Sequence, residues 1–582
     1  MNKKMLILVA VAVLSLGIFT ASAQAGQPNI IFILTDDLSW NLIEYMPNVQ
    51  AMQKEGTTFA NYFVTDSLCC PSRSTIFTGK LPHNTGVFTN SFKDEGGGYA
   101  GFIAGGNQNY TFAVELQKAG YKTAMLGKYL NGYYPVIDNP NLRPGWSDWY
   151  VGGDDYAEHN YNLSQNGVVK HYDSSHHPPS LQDDYLTDVL SLLGFDFMKK
   201  SKPGPFFIEI ATFAPHAPYT PADRHKQLFP NLKAPQSKAF TEANNDPLYQ
   251  PSCQWLADPA LTPLVQTPDI DNIDKAFRLR AQAVQAVDEM IGKIRSALVT
   301  WGIADNTYII FSSDNGYHMG EYRLRPGKQT PFDTDIRVPL IIVGPNVAKG
   351  RVVTEKIAIS PDLCPTFIAL GGISVPTSTF PDGHSLVPFL QWGPVQSWRH
   401  SALIEHRNGA YDGFDNSLIK AENPPSYEAL RTKDYLYVEY YLKDTDIDSG
   451  KYYDVAYYNL HNDAQGNGPL CNVSCQSCQD CQTYNNCKYC NASPSCQYYQ
   501  CDELTNSVKN LADDQLKKLH HALCAYRKCK GSTECFDNQP LQNTQCETFP
   551  PPPPPPKKCT PYMSKKECCI ISGGYWTGKE CM

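Results

Sequence analysis

The stretch Ile30-Ile31-Phe32-Ile33-Leu34-Thr35-Asp36-Asp37 joins five consecutive apolar residues to a pair of carboxylates. Unbroken apolarity over so short a run is typical of a strand that is covered on both faces, as in a parallel sheet. Four further runs of this kind follow, at residues 123–126, 206–210, 308–311 and 338–343. Because helical patterns separate them, the sequence predicts an α/β fold with a large, mixed but mostly parallel sheet sandwiched by helices.

Helices and a second, smaller sheet complete the predicted architecture. Residues 184–199 and 275–298 are predicted helices, and in the second of these apolar side chains recur at helical spacing. After residue 400 the pattern changes to short runs near residues 430, 436 and 453, which predicts an antiparallel sheet in a smaller C-terminal α+β domain. At 582 residues the chain is too long for one ordinary core, which agrees with two domains.

The predicted boundaries divide the chain into four parts. A signal peptide occupies residues 1–23, the larger domain 24–400, and the smaller domain 401–546 with a Cys-rich insertion at 471–501. A polyproline linker and a Cys-rich tail occupy 547–582, and the proline run acts as a stiff spacer. The tail is either a binding appendage or an inert, protease-resistant extension.

The first residues of the chain favour export. Lys3 and Lys4 precede an apolar run that leads to an Ala21-Ser22-Ala23 cleavage motif. This run is short for the ~20 residues of a membrane helix, so no membrane span is expected. We therefore expect a secreted or lysosomal protein. Its candidate glycosylation sites are the sequons at Asn109, Asn162, Asn472 and Asn491.

Charge and cysteine usage narrow the partners. A net charge of −9 without a long basic run argues against nucleic acid. Sixteen of the 20 cysteines follow residue 470, which in an exported protein predicts disulfides in the C-terminal region. The Cys-x2-Cys spacings within that region keep zinc binding as the alternative.

Polar side chains of catalytic type follow four of the five apolar runs. Because the carboxyl ends of parallel strands meet at one edge of a sheet, we expect these side chains to converge there. They are Asp36 and Asp37, Lys128, His216, and Asp314 with Asn315.

Four members of this set carry oxygen ligands for a hard cation. Asp36, Asp37, Asp314 and Asn315 suit Ca²⁺ or Mg²⁺ better than zinc. Three carboxylates at one edge would repel each other without a cation. The sequence therefore predicts a divalent metal, which would also offset the negative charge of a bound ester.

A second motif lies between the first two runs. It reads Cys69-Cys70-Pro71-Ser72-Arg73-Ser74-Thr75-Ile76-Phe77-Thr78-Gly79. We expect a helix here, with Ile76 and Phe77 facing the core and Cys69 near the N-terminus, where backbone amides favour an anion. The alternative is a buried cysteine pair at a turn.

This motif resembles the signature Cys-x-Pro-Ser-Arg-x-x-x-x-Thr-Gly of sulfatases in the alkaline-phosphatase-like superfamily. Within that superfamily the chain is similar to the N-acetylglucosamine-6-sulfatase and heparan-type subgroup. The resemblance covers roughly residues 28–400 and implies an alkaline-phosphatase-like fold there. The other stretches that carry it, in the family's order, lie at 35–37, 127–131, 185–188, 214–216, 313–318 and 335–340.

The resemblance implies a role for each site residue. A formylglycine-generating enzyme would oxidise Cys69 to formylglycine, whose hydrate is the nucleophile and one ligand of the metal, calcium rather than magnesium. Asp36, Asp37, Asp314 and Asn315 would complete that metal site. Arg73 would orient the formylglycine, and Lys128, His216 and Lys328 would surround the sulfate. Lys328 or His216 would protonate the leaving sugar alkoxide.

One departure from the arylsulfatase pattern bears on the substrate. Many arylsulfatases have a histidine where this chain has Leu130, and Asn131 is then a candidate substrate contact together with His318. His83 is expected to be structural or at the pocket rim. His176 and His177 lie in a polar loop and receive no role.

Cysteine parity adds an expectation. If Cys69 becomes formylglycine, nineteen cysteines remain, so at least one stays unpaired within the chain. Cys70 is the candidate, and the pair Cys69-Cys70 is therefore not expected to form a disulfide.

Three functions are compatible with these sequence features. The first is a sulfatase of sulfated carbohydrate, with the 6-O-sulfate of N-acetylglucosamine in glycosaminoglycan-type chains as the expected substrate. The second is an arylsulfatase or a broad sulfate or phosphonate ester hydrolase. The third is an inactive, Cys-rich secreted binding protein on the same scaffold. Because every expected site residue is present, the sequence favours an enzyme of the first kind.

Overall fold

The computed structural model describes residues 26–529 except at 139–142, 154, 174–183, 203, 237–239, 241–266, 377–378, 380–381, 410–423, 442–443, 450–451, 453, 461–470, 473–499, 502–510 and 528. The predicted signal peptide, most of the Cys-rich insertion, and the polyproline linker with its tail lie outside the described residues. So do His176 and His177.

A ten-stranded mixed sheet forms the centre of the molecule. The strands of this sheet and of the smaller sheets are numbered together in chain order. They are β1 (Asn29–Thr35), β2 (Thr57–Phe59), β3 (Tyr62–Phe63), β4 (Lys122–Lys128), β5 (Asp148–Gly152), β6 (Tyr161–Gln165), β7 (Val168–Tyr172), β8 (Phe206–Ala211), β9 (Thr307–Ser313), β10 (Leu340–Val343), β11 (Arg351–Val353), β12 (Ala358–Ile359), β13 (Ser401–His406), β14 (Ser426–Thr432), β15 (Tyr435–Tyr441), β16 (Asp454–Asn459), β17 (Cys471–Asn472) and β18 (Gln500–Cys501). The central sheet has the order β11-β2-β10-β9-β1-β8-β4-β5-β6-β7.

The five neighbouring strands β9, β1, β8, β4 and β5 run parallel. β10 pairs antiparallel with β9, and β6 and β7 extend the other side in antiparallel fashion. All five predicted runs are strands of this sheet, so the prediction of a mixed, mostly parallel sheet is confirmed. The last run becomes a strand only from Leu340, directly after Pro339, which has no N–H to donate to a ladder.

Helices cover both faces of this sheet. In chain order, the helices of the described residues are α1 (Pro47–Glu55), α2 (Cys69–Thr78), α3 (Pro82–Thr85), α4 (Gly98–Ala104), α5 (Phe112–Lys118), α6 (Leu186–Ser201), α7 (Thr267–Thr300), α8 (Asp333–Ile336), α9 (Leu363–Leu370), α10 (Asp444–Ser449) and α11 (Asp513–Arg527). The last two contact β15 and β14, which lie outside the central sheet. Ile31 and Ile33 pack with residues of α1, α6 and α7, whereas Ile30 and Phe32 pack with α2, α5 and α9. Burial on both sides explains why the strand sequences are continuously apolar.

No helix among the described residues combines the length and the apolar composition that a bilayer crossing needs.

A separate antiparallel sheet follows the central one. Its order is β13-β14-β15-β16, which confirms the predicted smaller sheet after residue 400. β13 was not among the predicted strands, because its apolar part is only Ala402-Leu403-Ile404. The two sheets share one hydrophobic core, and the Arg431 guanidinium binds the Asp333 carboxylate of α8 with N–O distances of 2.7 and 2.8 Å.

Candidate active site

Helix α2 begins at Cys69, so the expected helix is present with that residue in its first turn. Ile76 and Phe77 are buried in the core, as expected. The helix stops at Gly79, whose φ of 66° is left-handed and whose N–H donates to the Thr75 carbonyl at 2.8 Å. A Cβ at Gly79 would lie 3.2 Å from the Cβ of Cys364. The terminal glycine of the motif therefore serves to end α2 against α9.

The predicted convergence at the carboxyl edge of the parallel strands is observed. Asp36 and Asp37 follow β1, Lys128 ends β4, and Asp314 follows β9. His216 lies after β8, in a loop with cis peptide bonds before Pro215 and Pro218. All these side chains are buried, and so are Cys69, Arg73, Asn315 and Lys328.

Three acid–cation pairs surround the start of α2. The Lys128 ammonium bonds to Asp36 Oδ2, and the Arg73 Nε donates to Asp314 Oδ2 at 2.8 Å. Lys328 Nζ donates to Asp37 Oδ1 at 2.8 Å and lies 2.9 Å from the Cys69 sulfur. Three cations, Arg73 from α2 itself and Lys128 and Lys328 from distant segments, therefore bring positive charge to position 69.

The site has a ligand set that fits a divalent cation. Asp36, Asp37, Cys69 and His216 offer ligand atoms that all lie within 4.8 Å of one another. Asp37 Oδ2 and Asn315 Oδ1 are buried and have no hydrogen-bond partner in the part of the chain that the structure describes. Buried oxygens of this kind are costly unless they bind a proton donor or a metal, and carboxylate and amide oxygens suit Ca²⁺ or Mg²⁺.

The Asp314 carboxylate is already engaged within the chain. Its Oδ1 accepts the backbone N–H groups of Asp37 and Asn315 at 3.1 and 2.8 Å, and its Oδ2 accepts Arg73. Asp314 therefore holds the loop after β1 next to the loop after β9. Its predicted role as a metal ligand stays a prediction.

Electrostatics disfavour a thiolate at position 69. Burial and the neighbouring Asp36 carboxylate raise the pKa of the Cys69 thiol well above its ordinary value, against the opposing effect of Lys128 and Lys328. Burial acts to raise the pKa of Asp36, but the charges of Lys128 and His216 oppose this effect, and the pKa is lowered overall. This carboxyl is therefore ionised. An unmodified Cys69 would be a neutral thiol and a poor nucleophile.

Tyr156 is a site residue that the sequence did not reveal. Its ring stacks on the imidazole of His216 with a centroid distance of 4.2 Å, and Lys128 Nζ lies 4.9 Å from its centroid. Asn131 Nδ2 donates to the Tyr156 hydroxyl at 3.0 Å. Because Tyr156 follows β5, which runs parallel to β4, a prediction of that strand would have placed it at the same edge.

Arg280 is a second residue that the sequence did not reveal. It lies within α7, and its Nη2 donates to the carbonyl of Asp37 at 2.5 Å and lies 3.3 Å from Ser39 Oγ. Its guanidinium also lies 4.5 Å from the ring centroid of Tyr317. From α7 it positions the backbone of the acidic pair Asp36-Asp37. No local sequence motif indicates such a long-range contact.

The two substrate-contact candidates differ in their surroundings. His318 Nδ1 lies 3.0 Å from both oxygens of Asp335, and its backbone pairs with Gly327, the residue before Lys328. Asn131 is buried and bonded to Tyr156, so it contacts the residue that packs on His216. His83, expected to be structural or at the rim, bonds to Glu405 of β13 at 2.8 Å.

Three cysteines of the described residues are free, and the candidate Cys70 is one of them. Cys69, Cys70 and Cys364 are free and buried, so the Cys69-Cys70 pair is not a disulfide. Cys364 is a further free thiol that was not singled out. Near the C-terminal end of the described residues, Cys524 and Cys529 are both disulfide-bonded.

Two of the four sequons have described side chains. Asn109 is exposed, whereas Asn162 is half-buried beside His171 on β7. The Asn472 side chain and Asn491 lie outside the described residues.

This chain resembles known proteins in both sequence and fold. The sulfatase family model matches residues 28–373. Human N-acetylglucosamine-6-sulfatase is 32% identical over 525 residues, which cover 89% of this chain and 88% of that protein. The goat (Capra hircus) N-acetylglucosamine-6-sulfatase is 35% identical over 399 residues, covering 67% and 68%.

A solved structure described as a complex with its substrate D-glucosamine-2-N,6-O-disulfate superposes with a TM-score of 0.60 at 21% identity, covering 86% of this chain and 98% of that one. This likeness confirms the predicted alkaline-phosphatase-like fold. With the match of the family model over more than half of the chain, it follows that this protein is an enzyme of the sulfatase family.

Proposed function

We propose that this sulfatase hydrolyses the 6-O-sulfate ester of N-acetylglucosamine in glycosaminoglycan-type chains. The observation that carries the proposal is the surroundings of Cys69 Sγ, which lies 2.9 Å from Lys328 Nζ and 3.5 Å from Asp36 Oδ1 at the start of a buried helix. The sugar specificity is supported by the relatives in man and goat, which are named for that activity. The solved neighbour, described with a 6-O-sulfated glucosamine as its substrate, adds to this support.

Position 69 is proposed to be formylglycine in the mature protein, produced by a formylglycine-generating enzyme. The raised pKa of the thiol leaves an unmodified cysteine without the thiolate that attack on sulfur would need. The hydrate of formylglycine supplies a hydroxyl nucleophile and a second hydroxyl that expels sulfate afterwards.

The metal is proposed to be Ca²⁺, with Mg²⁺ as the alternative. Asp36, Asp37, Asn315 and residue 69 would hold it, with Asp314 as the further predicted ligand. Asp37 Oδ2 and Asn315 Oδ1, which accept no hydrogen bond from the described residues, support this assignment. When bound, the cation offsets the negative charge that the ester and the carboxylates bring together.

The cationic side chains are proposed to bind the sulfate and to move the proton. Lys128 and Lys328 neutralise the ester oxygens, and Arg73 orients residue 69 from one helical turn away. His216 donates from Nδ1 to the Ala217 carbonyl at 2.7 Å, which turns Nε2 toward Asp37 at 3.5 Å. Because a sugar alkoxide is a poor leaving group, either His216 or Lys328 would protonate it. Asn131 and His318 are proposed to contact the sugar.

Export is proposed along with this chemistry. The signal-like N-terminus and the similarity to an extracellular sulfatase homologue of Drosophila melanogaster support a secreted or lysosomal location. Glycans at Asn109, Asn162, Asn472 and Asn491 would follow in a glycosylating host, and the exposure of Asn109 suits an acceptor.

A substrate panel tests the specificity. Purified protein is assayed for sulfate release from N-acetylglucosamine-6-sulfate and from p-nitrocatechol sulfate, and for cleavage of a phosphonate monoester, with Cys69→Ala as the control. We expect the highest kcat/KM with the sugar sulfate and no turnover by the control. A preference for the phenolic sulfate or the phosphonate would replace the proposal by the broader hydrolase. Absence of all turnover in protein that carries formylglycine would favour the binding-protein alternative.

A further inference from the structure

A surface cleft of 490 Å³ lies away from the active site. Its lining comes from residues 346–349, which follow β10, and from Gln391 and Trp392. β10 runs antiparallel to β9, with Val343 opposite Ile309, so the segment after β10 lies near the amino end of β9. The catalytic carboxylates follow the carboxyl end of the same strand. At ~3.3 Å per residue, the length of β9 places about 20 Å between the two.

The cleft contains a solvent-exposed tryptophan. Trp392 is 73% exposed. The Arg351 guanidinium lies 5.7 Å from the centroid of its ring and donates from Nη2 to the Gly393 carbonyl at 3.2 Å. Arg351 Nη1 is buried and has no hydrogen-bond partner among the described residues. Tryptophan and arginine are side chains enriched at the sites where proteins bind their partners.

The charge around the cleft contrasts with that of the whole chain. Lys349 is exposed in the lining, and Arg351 follows two residues later. Residues 344–353 and 390–400 contain no aspartate or glutamate, although the chain carries a net charge of −9. The patch therefore favours an anionic ligand over a neutral one.

The framework of the cleft is fixed before any ligand arrives. Ala348 N–H donates to the Leu390 carbonyl at 2.6 Å and joins the two lining segments. Thr57 Oγ1 of β2 donates to the Ala348 carbonyl at 3.1 Å. A preorganised surface loses little conformational entropy when it binds.

We propose that Trp392, Arg351 and Lys349 form a second, non-catalytic binding site for a sulfated polysaccharide. The apolar C–H face of a sugar ring packs on the indole, and a sulfate group accepts hydrogen bonds from the guanidinium and the ammonium. The site rests on the proposed function in one respect, since the polymer held there is the substrate. Its role is to retain the polymer while a sulfated residue enters the active site.

The test measures polymer binding with the catalytic site occupied. Calorimetric titrations use Cys69→Ala protein with saturating N-acetylglucosamine-6-sulfate, and heparan sulfate or its desulfated form as the probe. Added to this background, Trp392→Ala and Arg351→Gln should each weaken heparan sulfate binding by about tenfold. Lys122→Ala, which removes an exposed cation at the amino end of β4, is the matched control and should leave the affinity unchanged.

Other outcomes overturn the proposal. These are an unchanged affinity in both variants, an equal loss in the Lys122→Ala control, or equal binding of the desulfated chain. A concentration-dependent dimer that Trp392→Ala abolishes, without polymer binding, would make the patch an interface between copies of this chain. If the unmutated enzyme binds heparan sulfate through Trp392 but releases no sulfate from any sugar, the proposed function fails and the second site stands.

Discussion

At the residue scale, each carboxylate of the active site is matched by a cation. Asp36 pairs with Lys128, Asp37 with Lys328, and Asp314 with Arg73. All six side chains are buried, so removing one partner leaves an uncompensated charge that costs about 3–5 kcal/mol. Substitutions here therefore reduce stability as well as turnover, and loss of activity is informative only when the variant is shown to be folded.

The stacking of Tyr156 on His216 can be tested by substitutions that remove no charged partner. Tyr156→Ala removes both the ring and the hydroxyl, whereas Tyr156→Phe keeps the ring and loses only the bond from Asn131. Because the ring fixes the imidazole plane, we expect kcat/KM for the sugar sulfate to fall at least about tenfold in the alanine variant and about threefold or less in the phenylalanine variant. Equal losses in the two variants would show that the hydroxyl, not the stack, matters.

The sequence predicted which residues meet but not how each one is held. Asp36, Lys128 and His216 follow apolar runs, and the common direction of parallel strands was enough to place them together. Tyr156 and Arg280 reach the same site from a loop whose strand was not predicted and from the middle of a long helix. Their contacts depend on tertiary packing, which leaves no periodic mark in the sequence.

At the element scale, the motif of α2 describes a complete helix. Cys69 starts it, Arg73 projects to Asp314 one turn later, and Gly79 ends it in a left-handed conformation against Cys364. The spacing between Cys69 and Gly79 is thus the length of helix α2. This helix directs residue 69 toward the carboxylates at the edge of the sheet.

A pair of glycine substitutions tests this view of α2. Gly79 and Gly86 have similar φ values, 66° and 71°, but a Cβ at Gly86 meets nothing within 4 Å. Gly86→Ala should cost about 1 kcal/mol through backbone strain alone. Gly79→Ala should cost at least about 1 kcal/mol more, because the new methyl group also presses on Cys364.

Urea unfolding at neutral pH measures both costs. Equal destabilisation by the two substitutions would mean that the contact with Cys364 relaxes without penalty, contrary to the tight packing proposed between α2 and α9.

At the scale of the whole molecule, His83 links three parts of the chain. Its Nδ1 bonds to Glu405 of β13 at 2.8 Å and its Nε2 to the carbonyl of Cys529 at 3.1 Å. Burial acts to lower the pKa of His83, but Glu405 and the Cys529 carbonyl outweigh it and raise the pKa from 6.5 to about 9. The protonated ring, which donates from both nitrogens, joins α3 to the second sheet and to the disulfide-bonded C-terminal segment.

This link predicts a pH dependence of stability. A raised pKa in the folded state stabilises the protein fully below the unfolded value of 6.5, and the contribution is lost as the pH rises through about 9. We expect His83→Gln to lower the free energy of unfolding by up to about 3 kcal/mol at pH 6, and by much less at pH 10. The exposed His171→Gln is the control and should show no such difference. A His83 effect that is equal at both pH values would contradict the charged link.

The overall architecture was largely predictable because its signals are local. Four of the five apolar runs identified strands of the parallel core, the fifth identified the antiparallel β10, and the change of pattern after residue 400 identified the second sheet. β13 was not predicted, because only three apolar residues mark it. Its polar end, Glu405 and His406, is buried by contacts with other segments. The joint core of the two sheets likewise depends on side chains far apart in the chain.

The proposed mechanism depends on Cys69 as the precursor of the nucleophile. Trypsin cleavage after Lys54 and Arg73 releases a peptide of residues 55–73, and its mass in protein from a host with the modifying enzyme reports the state of position 69 directly. We expect the mass of formylglycine at that position, present in proportion to the sulfatase activity of the preparation. An unmodified cysteine in fully active protein would contradict it.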